Sequence, residues 1–235
     1  MVPAGSFVTL DPSARITEVI PEPIPLNVLY EDDDLIAIDK PGGMLAHPTS
    51  HERTGTVVNA LRGRGLPGAF VLHRLDRATS GVLLAAKRVT RGSPWVRMFE
   101  TRQVEKRYCA VLAGDVRWDS LTVSLPIGRD GARRPPWNVE PNGVPAETRL
   151  RVLSRLAGFT CVEAEPVTGR TNQIRIHCAA IGHPLLGDTA YGGPPAGRLF
   201  LHARQLCFPG PDSALISIDA PLPPEFLLYT PPAGI

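Results

Sequence analysis

Hydrophobic positions along the chain recur with two periods, one typical of strands and one of helices. The strand-like segments are short apolar or alternating runs, bounded by Gly, Pro or polar turns. They comprise the two apolar runs of VLYEDDDLIAIDKP, which an acidic turn separates, followed by GVLLAAK, EKRYCAVLAG, LTVSLPIG, AETRLRVL, FTCVEAEPV, RLFLHARQLCF and ALISIDAP. Because strands dominate and hairpins outnumber crossovers, the pattern predicts an α+β fold on a mixed, mainly antiparallel β-sheet with flanking helices and loops.

Helical spacing of apolar residues is found in four segments. In the segment TNQIRIHCAAIG, Ile174, Cys178 and Ile181 stand at positions i, i+4 and i+7, and Thr171 or Asn172 can cap the start of the helix. The four segments are TGTVVNALRG with Gly63 just past its end, a helix opened by Ser93 as N-cap and Pro94 and running through Phe99, TNQIRIHCAAIG, and a short helix near 224–228.

The length and composition fit one globular domain. The chain has 235 residues, of which 43% are hydrophobic and 20% charged. Residues 1–25 read as an extended lead-in containing PEPIP, and we expect the folded domain to occupy 26–235. No apolar run approaches the roughly 18 residues that a membrane helix needs, and no secretory signal is visible, so we expect a cytoplasmic protein. The four cysteines form no C-x-x-C pair, which favours buried thiols over a zinc or disulfide framework.

The charge of the chain is small in total but uneven. The formal net charge is +2. Between Val71 and Arg107, however, nine Lys or Arg stand against three acidic residues, a local excess of +6. A basic stretch of this kind can attract a polyanion such as RNA, or it can be a solvated face.

The stretch HRLDRATSG, after Leu72, places Asp76 between Arg74 and Arg77. A nearby guanidinium lowers the pKa of a carboxyl group, so Asp76 is expected to be ionised at neutral pH. Two interpretations remain open: a local ion pair that fixes a loop, or a carboxylate held ionised for chemistry. The preceding strand and the following turn place the group at a rim rather than deep in the core.

Two further segments carry candidate side chains. In PVTGRTNQIRIH, Arg170 and Arg175 flank the start of a helix, where they could bind phosphate, or Arg175 could pair with Asp76; an ordinary capped helix is the alternative. In EKRYCAVLAG, Tyr108 points away from Arg107 and either packs in the core or stacks on a base. The loop GHPLLGDTAYGG, with His183, Asp188 and Tyr191, is unspecific by itself.

Common catalytic motifs are missing from the sequence. There is no phosphate-binding G-x-x-x-x-G-K-[ST], no G-x-G-x-x-G after a strand, no G-x-S-x-G and no H-E-x-x-H. His47, His73 and His177 could gather with Asp76 around a metal ion, but no local ligand pair supports such a site. We therefore predict no metal.

HRLDRATSGVLLAAK resembles the signature of the RluA-type pseudouridine synthases, which isomerise uridine in RNA. The likeness extends from about Pro25 to about Pro224. Five other blocks are similar to the family and occur in the family's order, the first before this signature and the others after it: DDLIAIDKPGGMLAHP, VEKRYCAVLAG, PAETRLRVL, VTGRTNQIRIHCAAIGHPLLGDTAYGG and LHARQLCF.

The resemblance implies a cofactor-free isomerase that acts on ribosomal or transfer RNA. It implies that Asp76 is the catalytic carboxylate and that Arg74 replaces the flipped nucleotide or holds the displaced strand. It further implies that Tyr108 is the active-site tyrosine, that Ile174 packs on the target base and that Arg175 pairs with the carboxylate. We expect RNA contacts from Arg77, Lys106, Arg107 and Arg170, and structural support from His73, Thr79, Ser80 and Gly81.

The chain departs from the family pattern in two places. Asn172 stands where the family usually has histidine, and residues 1–25 resemble at most the tail of an S4-type RNA-binding domain. These departures motivate an alternative function, a non-catalytic RNA-binding or folding module on the same scaffold. We expect RNA as the partner, no membrane association, no obligate protein partner and a monomer.

Overall fold

The computed structural model describes residues 19–88, 93–210 and 214–230. The first 18 residues of the predicted lead-in lie outside these ranges. The helices are α1 (Val57–Gly63), α2 (Pro94–Glu100) and α3 (Gln173–Ala180), with short 3-10 helices at Thr189–Tyr191 and Pro224–Leu228. The strands are β1 (Val28–Glu31), β2 (Leu35–Lys40), β3 (Phe70–Val71), β4 (Ser80–Ala86), β5 (Glu105–Ala113), β6 (Ser120–Val123), β7 (Ile127–Arg129), β8 (Trp137–Val139), β9 (Thr148–Leu156), β10 (Phe159–Pro166), β11 (Leu201–Pro209) and β12 (Leu215–Asp219).

Ten strands form one sheet in the order β1-β2-β4-β11-β5-β10-β9-β6, with β12 paired to β11 and β3 paired to β4. The pairing of β4 with β11 is parallel, and the other strand pairs described are antiparallel. The α+β class and the mainly antiparallel, mixed sheet are therefore confirmed. The predicted hairpin of β1 and β2 is also confirmed, as Glu31 pairs with Ile36.

Strand β4 explains why an uninterrupted apolar run occurs in a protein of alternating strands. It lies between β2 and β11, and all seven of its residues are buried. Leu84 packs in a core cluster on one side of the sheet, whereas Leu83 packs in the cluster that contains α1. A strand covered on both faces needs apolar side chains at consecutive positions.

The helix ends differ in detail from those predicted. Thr56 caps α1 with a capping box completed by Asn59, and Gly63 is the last residue of the helix rather than the residue beyond it. Ser93 and Asn172 do occupy the N-cap positions of α2 and α3, but neither makes a side-chain capping bond within the described structure. Asn172 instead has a left-handed backbone with φ 55°. Its side chain bonds to Arg175 and Tyr191 rather than to the first turn of α3.

The single strand predicted for LTVSLPIG is wrong. It is divided into β6, which pairs with β9, and β7, which pairs with β8 in a separate two-stranded sheet. Pro126 lies at the break, where its carbonyl accepts a bond from the Glu140 amide but its ring nitrogen has no proton to donate. The segment between β7 and β8 is thus the tip of a hairpin, and we call residues 127–139 the hairpin arm.

The core confirms the prediction for the cysteines, since all four are free and buried. Of the histidines considered as metal ligands, His73 and His177 have other partners. His177 uses Nδ1 with Thr148 and Nε2 with the Leu125 carbonyl, both at 2.9 Å. In the described ranges no three His, Cys, Asp or Glu side chains gather into a possible metal site. Of the helices described, none has the length and apolarity needed to cross a membrane.

Candidate active site

Asp76 lies in the connection between β3 and β4, where the Thr79 amide donates to its backbone carbonyl at 3.1 Å. The Asp76 side chain is 24% exposed, so the predicted position at a rim is confirmed. The carboxylate is therefore accessible to a ligand yet largely surrounded by protein.

Two cavities meet at Asp76. The main cavity has a volume of about 440 Å³ and the side cavity about 370 Å³. Each volume falls within the range of small-molecule sites, about 300–1,000 Å³. Residues that line both are Arg74, Leu75, Asp76, Thr171, Asn172 and Arg175.

The ion pair of Asp76 reaches across the fold rather than to its neighbours in sequence. Arg175 Nη1, on α3, lies 3.8 Å from Asp76 Oδ2. Arg77 forms an ion pair with Glu52 instead, and Arg74 is exposed. The interpretation of a purely local ion pair is thus wrong, and the pairing of Arg175 with Asp76 is confirmed.

Arg175 is itself held by closer partners. Its Nε and Nη2 donate to the two carboxylate oxygens of Asp188, each at 2.7 Å. Its Nη1 donates to Asn172 Oδ1 at 3.1 Å, and the guanidinium lies 4.9 Å from the ring centroid of Tyr191. This bidentate geometry fixes the plane of the guanidinium and so its distance from Asp76.

The expectation that neighbouring guanidinium groups lower the pKa of Asp76 is wrong in its net direction. Burial raises the pKa of Asp76 above its ordinary value, and this effect outweighs the opposing charges of Arg175 and Arg74. The charge of Asp188 raises it further, while Lys40 acts in the lowering direction. Burial removes water that would stabilise the anion, so the carboxylate binds a proton more readily than an exposed one.

One wall of the main cavity is apolar and aromatic. Tyr108 on β5 and Ile174 on α3 line it together with Leu201 at the start of β11. Ile174 is buried in the core cluster beneath the cavity, against which Tyr108 also packs. Burial and the charge of Asp76 both raise the pKa of Tyr108, so its hydroxyl is protonated. A flat ligand bound here would lie against hydrocarbon, with the Asp76 carboxylate nearby.

A second wall of the main cavity is formed by Phe99 of α2 with His73 and Lys106 beside it. The His73 ring stacks on Phe99 with centroids 5.1 Å apart, and Lys106 Nζ lies 5.6 Å from the Phe99 centroid. His73 Nε2 accepts from the Leu84 amide at 3.0 Å. Burial, assisted by the charge of Lys106, lowers the pKa of His73 to about 3, so the ring is neutral. His73 therefore supports the loop before Asp76.

The structure brings three of the four proposed RNA-binding residues to the cavities. Lys106 and Arg170 line the main cavity, and Arg77 lines the side cavity. Arg107 alternates with Lys106 and Tyr108 along β5 and forms an ion pair with Glu105 at 3.5 Å. In the described structure it lines neither cavity, because its side chain projects from the opposite face of the strand.

The residues that follow Asp76 attach its loop to the central sheet. Ser80 Oγ lies 2.8 Å from His202 Nδ1 and accepts from Arg198. Gly81 has φ 111°, and a Cβ there would lie 2.2 Å from the Ala203 carbonyl on β11. Thr79 lines the main cavity, and its buried hydroxyl has no hydrogen-bond partner among the described residues.

A comparison with known families decides the class of this site. The family model described as RNA pseudouridylate synthase matches residues 34–180. The chain belongs to the RNA pseudouridylate synthase family. The matched range contains Asp76, Tyr108, Ile174 and Arg175, and the resemblance found in the sequence is confirmed at the level of the family.

Relatives and solved structures of the pseudouridylate synthases agree. The chain is 39% identical over 221 residues to the ribosomal large subunit pseudouridine synthase D of Nitrosomonas europaea, covering 87% of this chain but only 64% of that relative. It is 37% identical over 234 residues to YlyB of Bacillus subtilis, an uncharacterized RNA pseudouridine synthase, covering 94% and 77%. The structure of human RNA pseudouridylate synthase domain containing 1 superposes with a TM-score of 0.70 at 30% identity, covering 85% and 84%.

Two residues near the site were assigned no role from the sequence. Asp188, whose side chain is 1% exposed, lies beyond the matched range in the loop that seemed unspecific. Lys40 is fully buried at the end of β2 and donates to the carbonyls of Pro41 and Met44, both at 2.8 Å, and of Arg77 at 3.1 Å. The sequence did carry a signal for Lys40, because a lysine at the end of an apolar strand run is a charge that needs partners if it is buried.

Proposed function

We propose that this chain is an RNA pseudouridine synthase with Asp76 as its catalytic carboxylate. The observation that carries the proposal is the place of Asp76 at the junction of two cavities, beside an apolar wall and 3.8 Å from a guanidinium. Family membership supports the reaction class. The proposal includes a domain at 26–235, a cytoplasmic location and a monomer.

The reaction breaks the N1–C1′ bond of a uridine, rotates the uracil and forms a bond from C5 to C1′. The proton on C5 is lost to a base in the site and N1 gains one, so product and substrate are isomers. Because no electrons are gained or lost overall, the proposal requires no cofactor. Asp76 supplies the carboxylate that acts on the nucleoside, whether at C1′, at the uracil ring or at the C2′ proton.

The uridine must leave its stack to reach Asp76. Extrusion of a base costs a few kcal/mol. Phosphate contacts from Lys106 and Arg170, which line the main cavity, offset this cost. The exposed Arg74 lies between the two cavities, where it takes the place of the extruded nucleotide. Tyr108 and Ile174 then bind the two faces or the edge of the uracil.

Ribosomal RNA is the substrate that we propose first. Its support is the name of the relatives, which refers to the large ribosomal subunit. The chain spans 64% of the length of these relatives, so substrate choice is part of the proposal. Transfer RNA is the alternative substrate to be compared with it.

The test uses transcripts labelled with [5-³H]uridine, since formation of pseudouridine releases the tritium to water. Transcripts of large-subunit ribosomal RNA and of transfer RNAs are incubated separately with the purified chain. We expect tritium release from the ribosomal transcript and none after substitution Asp76→Ala. Asp119→Asn, at a side chain 92% exposed, is the matched control and should leave release unchanged. Tight binding without release from either transcript would support the non-catalytic module instead.

A further inference from the structure

Asn172 occupies the N-cap position of α3 but does not cap the helix. Its backbone is left-handed, with φ 55°, and no capping bond from its side chain occurs in the described structure. N-cap asparagines normally have an extended backbone and accept from the second or third helical amide. A left-handed asparagine that gives up this bond directs its amide group elsewhere.

The amide of Asn172 joins two parts of the site. Its Oδ1 accepts from Arg175 Nη1 at 3.1 Å, and its Nδ2 donates to the Tyr191 hydroxyl at 3.0 Å. The Tyr191 hydroxyl in turn donates to the Trp137 carbonyl of β8 at 2.9 Å. Each donor in this series faces an acceptor, and the series connects the hairpin arm to the guanidinium beside Asp76.

The position of Arg175 follows from its competing partners. Asp188 binds Nε and Nη2, which leaves Nη1 between Asn172 and Asp76. Nη1 lies 3.1 Å from Asn172 but 3.8 Å from Asp76, beyond the roughly 3.2 Å of a good N–H···O bond. Among the described residues, none donates a hydrogen bond to the Asp76 carboxylate. Arg175 thus balances the negative charge of Asp76, while the lone pairs of the Asp76 carboxylate stay free of hydrogen bonds from the described residues.

We propose that Asn172 is a positioning residue that restrains Arg175 at this distance from Asp76 and fixes it to the hairpin arm through Tyr191. The inference rests on the proposed role of Asp76. Without the Asn172 amide, Nη1 is free to close on the carboxylate and occupy the lone pairs needed for the reaction. The residue therefore acts on the rate of the chemical step rather than on RNA affinity.

The first two variants change the side-chain amide of Asn172 without straining the backbone: one removes it and the other replaces it with a carboxylate. Asn172→Gly tolerates a positive φ, and Asn172→Asp keeps a residue that also tolerates it. We expect kcat for tritium release to fall by about 10- to 100-fold in Asn172→Gly, and by less in Asn172→Asp, because its carboxylate still accepts from Nη1 but no longer donates to Tyr191; KM should stay within about twofold of wild type in both. Asn142→Asp makes the same change in an exposed turn and should leave kcat unchanged.

The dependence on pH separates positioning from a structural role. The carboxylate of Asn172→Asp binds Nη1 and adds a negative charge, so it raises the pKa of Asp76. We expect the acidic limb of kcat/KM to move to higher pH, which loss of folded protein alone would not do. Other charged or titratable groups that face Asp76 are present in both proteins: Lys40, Arg74, Tyr108, Arg175, Asp188 and Tyr191.

A double-mutant cycle tests the connection to the hairpin arm. Tyr191→Phe removes the hydroxyl between Asn172 and Trp137, and we expect kcat to fall severalfold. In the Asn172→Gly background the same substitution should have no further effect, because the connection is already broken. Multiplicative effects of the two substitutions would contradict the proposal.

The outcomes distinguish this inference from the proposed function. If Asp76→Asn retains wild-type release, the proposed function itself is wrong, whatever Asn172 does. If Asp76→Asn is inactive while Asn172→Gly and Asn172→Asp keep the wild-type kcat and acidic limb, only the role of Asn172 is wrong. Circular dichroism and thermal unfolding of each variant establish that the comparison is made on folded protein.

Discussion

Arg175 lies 3.8 Å from Asp76, but its two shortest bonds, each of 2.7 Å, go to Asp188. The arginine is therefore anchored by one carboxylate and presented to another. Because Asp188 is almost fully buried, its negative charge is balanced by Arg175 rather than by water. The site thus contains an arginine between two acids, of which only Asp76 opens onto both cavities.

Removing the anchoring charge should harm both stability and activity. Asp188→Asn removes the nearer of the two carboxylates that pair with Arg175 and leaves only Asp76. We expect the free energy of unfolding to fall by about 3 kcal/mol. The guanidinium then moves toward Asp76, and kcat for tritium release falls. Urea unfolding measures the first effect. Asp119→Asn breaks a pair of the same 2.7 Å length on the surface and should cost less than about 1 kcal/mol.

Lys40 should be required to hold the loop that carries Asp76. Lys40→Met fits the same space but leaves three carbonyl oxygens without their donor, among them that of Arg77. We expect a loss of roughly 3 kcal/mol in the free energy of unfolding. The partly exposed Lys87, which pairs with Glu31 at 2.9 Å, provides the control. Equal effects of Lys40→Met and Lys87→Met would contradict this role.

The partly buried His73 should make the protein less stable in acid. Burial lowers its folded-state pKa to about 3, whereas the unfolded chain has the ordinary value of about 6.5. Between these values the unfolded state binds the extra proton, so stability falls as the pH decreases below about 6.5. His73→Phe keeps the stack on Phe99 but cannot titrate. Its disadvantage relative to wild type should shrink by about 2 kcal/mol between pH 7 and pH 4.5, as measured by urea unfolding.

Gly81 should tolerate no side chain. Its φ of 111° is unfavourable for other residues, and a Cβ would lie 2.2 Å from the Ala203 carbonyl. Gly81→Ala should therefore separate the parallel pair of β4 and β11 and lower the free energy of unfolding by more than about 3 kcal/mol. Gly131→Ala, with open space around it, should change stability by less than about 1 kcal/mol. A mild effect at Gly81 in thermal unfolding would contradict this account.

Local patterns in the sequence were sufficient for the fold class and for most of the strands. Alternation along β5 put Tyr108 and Arg107 on opposite faces, as the structure has them. The break between β6 and β7 was missed because LTVSLPIG alternates apolar and polar residues like one strand, and its division depends on pairing with β8. The hairpin arm itself is polar and rich in arginine, so its sequence carries little strand signal.

The electrostatics of the site could not be predicted from neighbouring residues. The two arginines beside Asp76 in sequence suggested a lowered pKa, whereas burial in the folded protein raises it. Asp188 was equally hidden, because its partner Arg175 is 13 positions earlier and on another element. Charge balance in a buried site depends on tertiary distances, which spacing in the sequence does not determine.

The central claim is that the Asp76 carboxylate performs the chemistry, and single-turnover kinetics test it most directly. Enzyme in excess over the labelled ribosomal transcript removes the influence of binding and product release on the rate. For Asp76→Asn, which keeps the size of the side chain, we predict a rate of tritium release lower by about 10⁴-fold or more, with RNA affinity within severalfold of wild type. A rate within tenfold of wild type would contradict the account.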